Sequence, residues 1–371
     1  MTKLICTACS QEYVSTEPRW QCTCGNLLDI VFTPSFPVVQ ITKRKPTMWR
    51  YREAIPLDSN SPIVSFAEGF TPLLPVEIAG RQVLIKQEQL FPSGSYKDRG
   101  ASVMISQIKQ LGITKVVEDS SGNAGAAVAA YCAAAGIQCD IYVPESTSPS
   151  KLAQITRYGA TLHKIPGSRE DTAQAVMTAA EDTYYASHSW NPFFFHGTKT
   201  FAFEVCEQLG WQAPDTVILP VGNGTLLLGA YIGFSELVKS GIINRVPRFI
   251  GVQAQRCAPL FHAFTTHSDT VACAATGEKT MAEGIAIAAP IRGQQILAAV
   301  KHTGGEFITV NEMEILASLT AMFQKGHYIE PTSAAAIAGI KKYVEVQREM
   351  GTIDAHEVIV SAFTGHGLKS T

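Results

Sequence analysis

Charge is scarce in this sequence, and what there is cancels. Asp, Glu, Lys and Arg make up 17% of the 371 residues, and 30 Lys plus Arg against 32 Asp plus Glu leave a formal net charge of −2. No run of like charge is long enough to grip a nucleic-acid backbone or an anionic lipid surface, so neither is an expected partner. Long apolar runs are missing too. The most apolar stretch, Ala124 to Ile137, is built largely from Ala and Gly and is shorter than the roughly 18 residues a membrane span needs, so it reads as a buried helix. Near the start, Leu4-Ile5 is followed at once by Cys6, Cys9, Ser10 and Glu12, nothing like a secretion signal, and a cytoplasmic location is expected. Disulfides are not implied. The nine cysteines are an odd number, and Cys132, Cys139, Cys206, Cys257 and Cys273 are scattered through apolar or helical contexts, as reduced packing residues are. Both nucleotide-binding fingerprints are absent as well: neither Gly122 nor Gly222 begins a G-x-G-x-x-G turn, and no Gly-Lys-Ser/Thr is present to form a P-loop.

What is present is a large apolar fraction, 46% of the chain, in a length that suggests two or more domains at about 150 residues each. Residues 1–32 stand apart as a Cys-rich knuckle. Cys6-Thr7-Ala8-Cys9 is answered by Cys22-Thr23-Cys24-Gly25, and two close thiolate pairs suit a tetrahedral zinc ion with no open position for catalysis. A knuckle that keeps the shape without metal fits the tighter C-x-C pair equally well. Residues 33–62, rich in Pro, Thr and basic residues, read as an irregular connector around a short helix near Trp49. Beyond them, apolar strands alternate with helical patterns. Strands are expected at Lys115–Asp119, Asp140–Pro144, Thr161–Ile165, Thr216–Pro220, Arg248–Gln253 and Glu357–Phe363. Helices are expected at Lys97–Leu111, Asn123–Ala135, Lys151–Tyr158, Thr172–Glu181, Thr198–Leu209, Thr225–Lys239, Glu312–Lys325 and Thr332–Met350. The alternation implies parallel sheets covered on both faces.

Ligands of such folds bind beyond the carboxyl ends of strands, where loops enter helices. Four junctions here carry unusual chemistry. Pro92 to Gly100 delivers Lys97 to a helix start, where the positive end of the helix dipole disfavours an ammonium and favours a nucleophilic amine. A lone Lys reads equally as a solvated one. Ser120-Ser121-Gly122-Asn123-Ala124-Gly125 offers hydroxyls, an amide and helix-start N–H groups to a carboxylate, although an N-cap beside a glycine turn has the same composition. Gly222-Asn223-Gly224-Thr225 lets backbone approach a phosphate. Thr364-Gly365-His366-Gly367 puts a hydroxyl at the end of the last strand. His188, His196 and His366 read as packing or hydrogen-bonding residues, and Glu330-Pro331-Thr332-Ser333 reads as the cap of a long helix.

Taken together and in order, these motifs resemble the pyridoxal-phosphate enzymes of the tryptophan-synthase β, or type II, fold, and among them the threonine synthases. The likeness runs from the knuckle through Glu68-Gly69-Phe70-Thr71-Pro72-Leu73, Ser95-Tyr96-Lys97-Asp98-Arg99-Gly100 and Ser121-Gly122-Asn123-Ala124-Gly125 to Thr364-Gly365-His366-Gly367-Leu368-Lys369. It implies two α/β lobes with parallel-rich sheets behind the knuckle: a large cofactor-binding lobe from 33–100 and 193–371, and a smaller inserted lobe from 101–192. It also implies pyridoxal 5'-phosphate bound covalently to Lys97, with the phenolic oxygen on Asn123 and the phosphate on Gly222, Asn223, Gly224 and Thr225. Thr364 would face the pyridine nitrogen, where a neutral hydroxyl need not protonate it. Ser121, Asn123 and the amide of Ala124 would hold the substrate carboxylate, and the substrate would be a small amino acid met by a homodimer. For threonine synthases that substrate is O-phosphohomoserine. Glu283-Gly284-Ile285-Ala286 resembles a segment lining the cofactor's edge. One departure stands out: in Asn191-Pro192-Phe193-Phe194-Phe195-His196-Gly197, Phe194 replaces an Arg that helps hold the substrate phosphate, leaving Lys151, Lys199 or Arg157 to supply charge. The alternative is β-elimination or β-replacement on an unphosphorylated amino acid, as in serine/threonine dehydratases and sulfur amino-acid synthases.

Overall fold

The structure, a computed structural model, describes residues 2–167, 169–274, 279–352 and 354–369. The chain divides into two compact units. The first is Met1–Phe70 with Phe91–Thr200, and the second is Thr71–Leu90 with Phe201–Thr371.

In the first unit a parallel sheet runs in the order Thr161–Ile165, Gln138–Pro144, Lys115–Glu118, Tyr184–Tyr185. The knuckle is a three-stranded antiparallel sheet, Glu12–Val14, Lys3–Cys6 and Leu28–Val31. It clusters with this unit, as do residues 33–70 and the whole Lys97–Gln110 helix. Trp20 of the knuckle packs edge-on against Tyr185 and Trp190, at 5.2 and 5.7 Å between ring centroids. The Asn123–Ala135 helix is buried from Ala124 to Cys132, so its small side chains face protein on every side and show little amphipathic pattern. Gly136, at φ +70°, ends it in a left-handed cap. Two further glycines set a close crossing. A Cβ on Gly100 would enter the Phe194 ring, and one on Gly197 would strike the Arg99 carbonyl, so only bare backbone lets the Lys97–Gln110 and Pro192–Thr198 helices meet here.

In the second unit six strands lie in the order Glu306–Val310, Arg248–Ala254, Thr216–Pro220, Ile359–Ala362, Arg81–Lys86, Leu73–Ile78. All neighbours are parallel except the last pair, an antiparallel hairpin. Ala79 and Gly80 turn it with φ of +51° and +75°, the paired left-handed geometry of a type I′ turn. The Pro331–Glu349 helix covers this sheet with Ile337, Ile340 and Val344, which join Ile218, Ile250 and Val252 in one core. Strands at Thr161–Ile165 and Thr216–Pro220, and helices at Asn123–Ala135 and Thr225–Lys239, match expectation residue for residue. The expected Thr198–Leu209 helix instead breaks at Lys199 into Pro192–Thr198 and Thr200–Gln208.

A buried ion pair organises the second unit. Lys86 and Glu204, both fully buried, lie 2.8 Å apart, and the Lys86 ammonium also donates to the Thr71 carbonyl at 2.5 Å and to Gln208 Oε1 at 2.9 Å. Removing one member strands the other charge in a medium of low dielectric. Glu204→Ala is expected to destabilise the protein by about 3–5 kcal/mol in chemical unfolding, and Lys86→Met with Glu204→Leu to recover most of that loss.

Candidate active site

In the first unit the Lys97 amine is presented by a loop folded back on its own helix. Gly94, at φ +83°, turns the chain, and its N–H donates to the Phe91 carbonyl at 2.8 Å. The Asp98 carboxylate, in the first turn, accepts from the Ser93 N–H at 2.8 Å and from the Ser93 hydroxyl, and the dipole favours a carboxylate there. Lys97 is half-buried with its ammonium 4.8 Å from the Tyr96 ring centroid and 5.7 Å from that of Phe194. Beside it, the fully buried Ser95 hydroxyl has no hydrogen-bond partner among the described residues. A buried hydroxyl without a partner carries a desolvation cost that a polar ligand relieves.

Strand Lys115–Glu118 leads straight into Asp119, Ser120, Ser121 and Gly122, and the helix begins at Asn123. Gly122 occupies the N-cap, where the helix has no side-chain cap hydrogen bond. A Cβ on Gly125 would enter the Ser120 carbonyl, which keeps this turn tight. Behind it, His188 Nδ1 lies 2.8 Å from Glu118 Oε1, and the Tyr185 hydroxyl donates to Asp119 at 2.8 Å. His188 also meets Phe194 edge-on at 6.0 Å. Phe194 itself is fully buried and offers no charge. Of the cations that could compensate, Lys199 is fully buried, 2.8 Å from His196 Nδ1 and 5.2 Å over the Phe32 ring, whereas Arg157 is exposed at the end of the Pro149–Arg157 helix. The Lys151 side chain lies outside the described residues.

In the second unit the buried strand Thr216–Pro220 ends in Val221-Gly222-Asn223-Gly224, and Gly224, at φ +69°, is the N-cap of the 15-residue Thr225–Lys239 helix. A Cβ on Gly222 would lie 2.9 Å from Ile287 and 3.0 Å from the Ile285 backbone, and one on Gly224 would enter the Ile296 side chain. Both glycines therefore leave bare backbone over a helix start whose first-turn N–H groups lack intrahelical acceptors, a cradle of the kind a phosphate fills. Gly284 of the Glu283–Ile285 turn donates its N–H to the Thr332 hydroxyl at 3.1 Å.

Thr364 follows the last strand, 1% exposed. Its hydroxyl lies 2.8 Å from Glu330 Oε1 and 3.0 Å from the Ser333 hydroxyl, and its N–H donates to Ser333 Oγ at 2.8 Å. Pro331 takes the first helical position as expected, but neither Glu330 nor the hydroxyls caps the helix: their side chains are committed to Thr364 and Gly284. The sequence reading assigned Glu330 to local capping because nothing along the chain links positions 34 apart. His366 accepts the Leu368 N–H at Nδ1, 3.2 Å away, as a packing histidine does.

In the knuckle the four sulfurs of Cys6, Cys9, Cys22 and Cys24 all lie within 4.8 Å of one another, with Cys6 to Cys24 at 3.5 Å and Cys9 to Cys22 at 3.6 Å. Zinc–sulfur bonds of 2.3 Å in a tetrahedron separate the sulfurs by about 3.8 Å, so the four fit that ion. The Cys24 N–H, and after it the Tyr13 hydroxyl, bring the Cys22 thiol down to about 6, within the thiolate range at neutral pH.

Residues 64–365 match the family described as pyridoxal-phosphate dependent enzyme. The chain is 37% identical to a threonine synthase of Methanocaldococcus jannaschii, over 98% of this chain and 92% of that protein. It is 33% identical to a threonine synthase of Methanosarcina acetivorans, over 100% of this chain and 92% of that protein. In fold it is similar to threonine deaminase isoform 2 of Solanum lycopersicum, with a TM-score of 0.70 at 21% identity over 91% of this chain and 93% of that one. A serine racemase of Dictyostelium discoideum gives a TM-score of 0.67 at 25% identity over 80% and 92%. With a lysine at a helix start, a glycine cradle and a relationship that spans the chain, this protein belongs to the pyridoxal-phosphate-dependent enzymes of fold type II as a threonine synthase-like member.

Proposed function

We propose that the protein is a threonine synthase, converting O-phosphohomoserine and water to threonine and phosphate. The observation that carries this reading is that relatives named threonine synthase match essentially the whole chain, knuckle included, at 33–37% identity. The tomato deaminase matches at 21% and shares only the fold. Buried, uncharged Phe194 is the one feature that favours the alternative of elimination or replacement on an unphosphorylated amino acid.

Bound pyridoxal phosphate supplies an electron sink conjugated with the α-carbon of the substrate. Lys97 holds it through Nζ and, once released, takes the α-proton and moves protons at the adjoining carbons. The Tyr96 and Phe194 rings restrict the stem of Lys97 so that its amine returns to one place. Ser121, Asn123 and the N–H of Ala124 hold the substrate carboxylate, and Asn123 also meets the phenolic oxygen. Gly222, Asn223, Gly224 and Thr225 hold the cofactor's phosphate. Thr364 faces the pyridine nitrogen. Among the described residues no helix is long and apolar enough to cross a membrane. The working unit in this reading is a cytoplasmic homodimer, as the family resemblance implies. Cys6, Cys9, Cys22 and Cys24 would hold a structural zinc, which would brace the knuckle whose Trp20 contacts Tyr185 and Trp190, four residues before Phe194.

Loaded protein incubated with O-phosphohomoserine is expected to release phosphate and threonine in equal amounts, and Lys97→Ala to lower that rate by about a thousand-fold or more. A ketoacid or replacement product from serine, threonine or O-acetylserine, with no turnover of O-phosphohomoserine, would establish the alternative. Elemental analysis of the purified chain is expected to find about one zinc, lost in Cys22→Ser together with several degrees of thermal stability. Metal-free protein of unchanged stability would leave the knuckle a purely structural fold.

A further inference from the structure

Phe194 brings no charge to the site, and another group stands beside its ring. His188 meets that ring edge-on at 6.0 Å between centroids, and the Lys97 ammonium lies 5.7 Å from the same ring's centroid. A substrate whose α-carbon meets the amine and whose side chain runs along the ring can bring its far end to the imidazole. In O-phosphohomoserine that far end is the phosphate. This inference rests on the threonine synthase reading and deepens it by naming what meets that group.

His188 is held from two sides. The Ser187 hydroxyl accepts the Ser189 and Trp190 N–H groups at 3.3 and 3.4 Å, and the Asn191 N–H donates to the Ser187 carbonyl at 3.0 Å, so the imidazole is carried on a closed turn. Asn191 then caps the Pro192–Thr198 helix by accepting the Phe193 N–H at 3.0 Å, which fixes Phe194 relative to that turn. On the other side stands Glu118, fully buried, with Oε1 2.8 Å from His188 Nδ1. Glu118 ends the strand Lys115–Glu118, three positions before Ser121, so one strand end both holds the imidazole and opens into the Ser120–Asn123 turn.

Nε2 lies across the ring from Nδ1 and is directed away from Glu118. In either overall neutral form of the pair it carries a proton. An imidazolium beside an ionised carboxylate has N–H at both nitrogens, and a neutral imidazole that accepts at Nδ1 from a protonated carboxyl has its one N–H at Nε2. The remaining form, a neutral imidazole donating at Nδ1 to an ionised carboxylate, leaves net negative charge on a buried pair and sets a lone pair against the phosphate. A phosphate dianion only accepts, so it selects the forms with Nε2–H. We propose that His188 binds the substrate's phosphate through Nε2–H, with Glu118 as its positioning residue. The pair then supplies a donor of fixed direction, charge-assisted by the dianion it meets.

The test uses protein loaded with pyridoxal phosphate and the phosphonate analogue of O-phosphohomoserine, in which a methylene replaces the ester oxygen so that no phosphate can leave. Homoserine is the unphosphorylated control. In calorimetry His188→Leu is expected to bind the phosphonate about ten- to a hundred-fold more weakly and homoserine within about two-fold of wild type. His188→Gln, which keeps an N–H donor near the place of Nε2, is expected to lose less, and Glu118→Gln to weaken the phosphonate several-fold with the same selectivity. Unchanged phosphonate binding in His188→Leu, or equal loss of both ligands, would overturn the assignment while leaving the threonine synthase reading in place. A wild type that binds the phosphonate no more tightly than homoserine would overturn that reading and this inference with it. One measurement needs no variant: in wild-type protein carrying nitrogen-15 in its histidines, saturating phosphonate is expected to move an imidazole Nε2 signal that homoserine leaves in place. No such movement would contradict the proposal.

Discussion

An α-helix begins with N–H groups that nothing within the helix can satisfy, and this chain places its chemistry on that constraint. The Asn123–Ala135 and Thr225–Lys239 helices each begin directly beyond a strand, with glycine at the N-cap and no side chain filling the cap. A helix start left open in this way is a standing receptor for anions. In the proposed reading one meets a carboxylate and the other a phosphate, and the Lys97–Gln110 helix differs by carrying an amine at its first residue, where the others carry Asn123 and Thr225. Within each unit the parallel sheet matters because a helix that follows a strand directly begins at that strand's carboxyl end.

The second constraint is that polar groups taken out of water must be partnered. Several buried polar side chains here answer it in small sets: Lys86 with Glu204, His188 with Glu118, Thr364 with Ser333 and Glu330. Each set fixes a backbone segment. Lys86 ties down Thr71, His188 braces the end of the strand before Ser121, and Glu330 orders the hydroxyls around Thr364. Ser95 is the exception beside Lys97, and an unpartnered hydroxyl at that place is where a ligand has most to offer.

Much of this was legible along the chain. The Asn123 and Thr225 helices were readable to the residue because glycine-rich turns and an apolar strand mark their starts and Gly136 or a polar run marks their ends. Lys97, the two glycine turns and Thr364 stand out along the chain because each sits at a junction at the end of a strand or the start of a helix, and their roles belong to the proposed reading. The hairpin at Leu73–Lys86 was missed, since its turn at Ala79-Gly80 places a non-glycine residue at positive φ, which composition does not announce. The split at Lys199 was missed because nothing in the apolar periodicity marks a break there. Glu330 was read as a cap, since its real partner is reached only through the fold. The contact of Trp20 with Tyr185, which ties the knuckle to its unit, joins positions 165 apart and is likewise invisible along the chain.

The central claim is that the amine at the start of the Lys97–Gln110 helix carries the cofactor, and it is tested most directly by trapping that bond. Protein loaded with pyridoxal phosphate is reduced with borohydride, digested, and its peptides are weighed by mass spectrometry. The account predicts the added mass of a reduced phosphopyridoxyl group on the peptide containing Lys97 and on no other. The same mass on a different lysine, or on none, would contradict it.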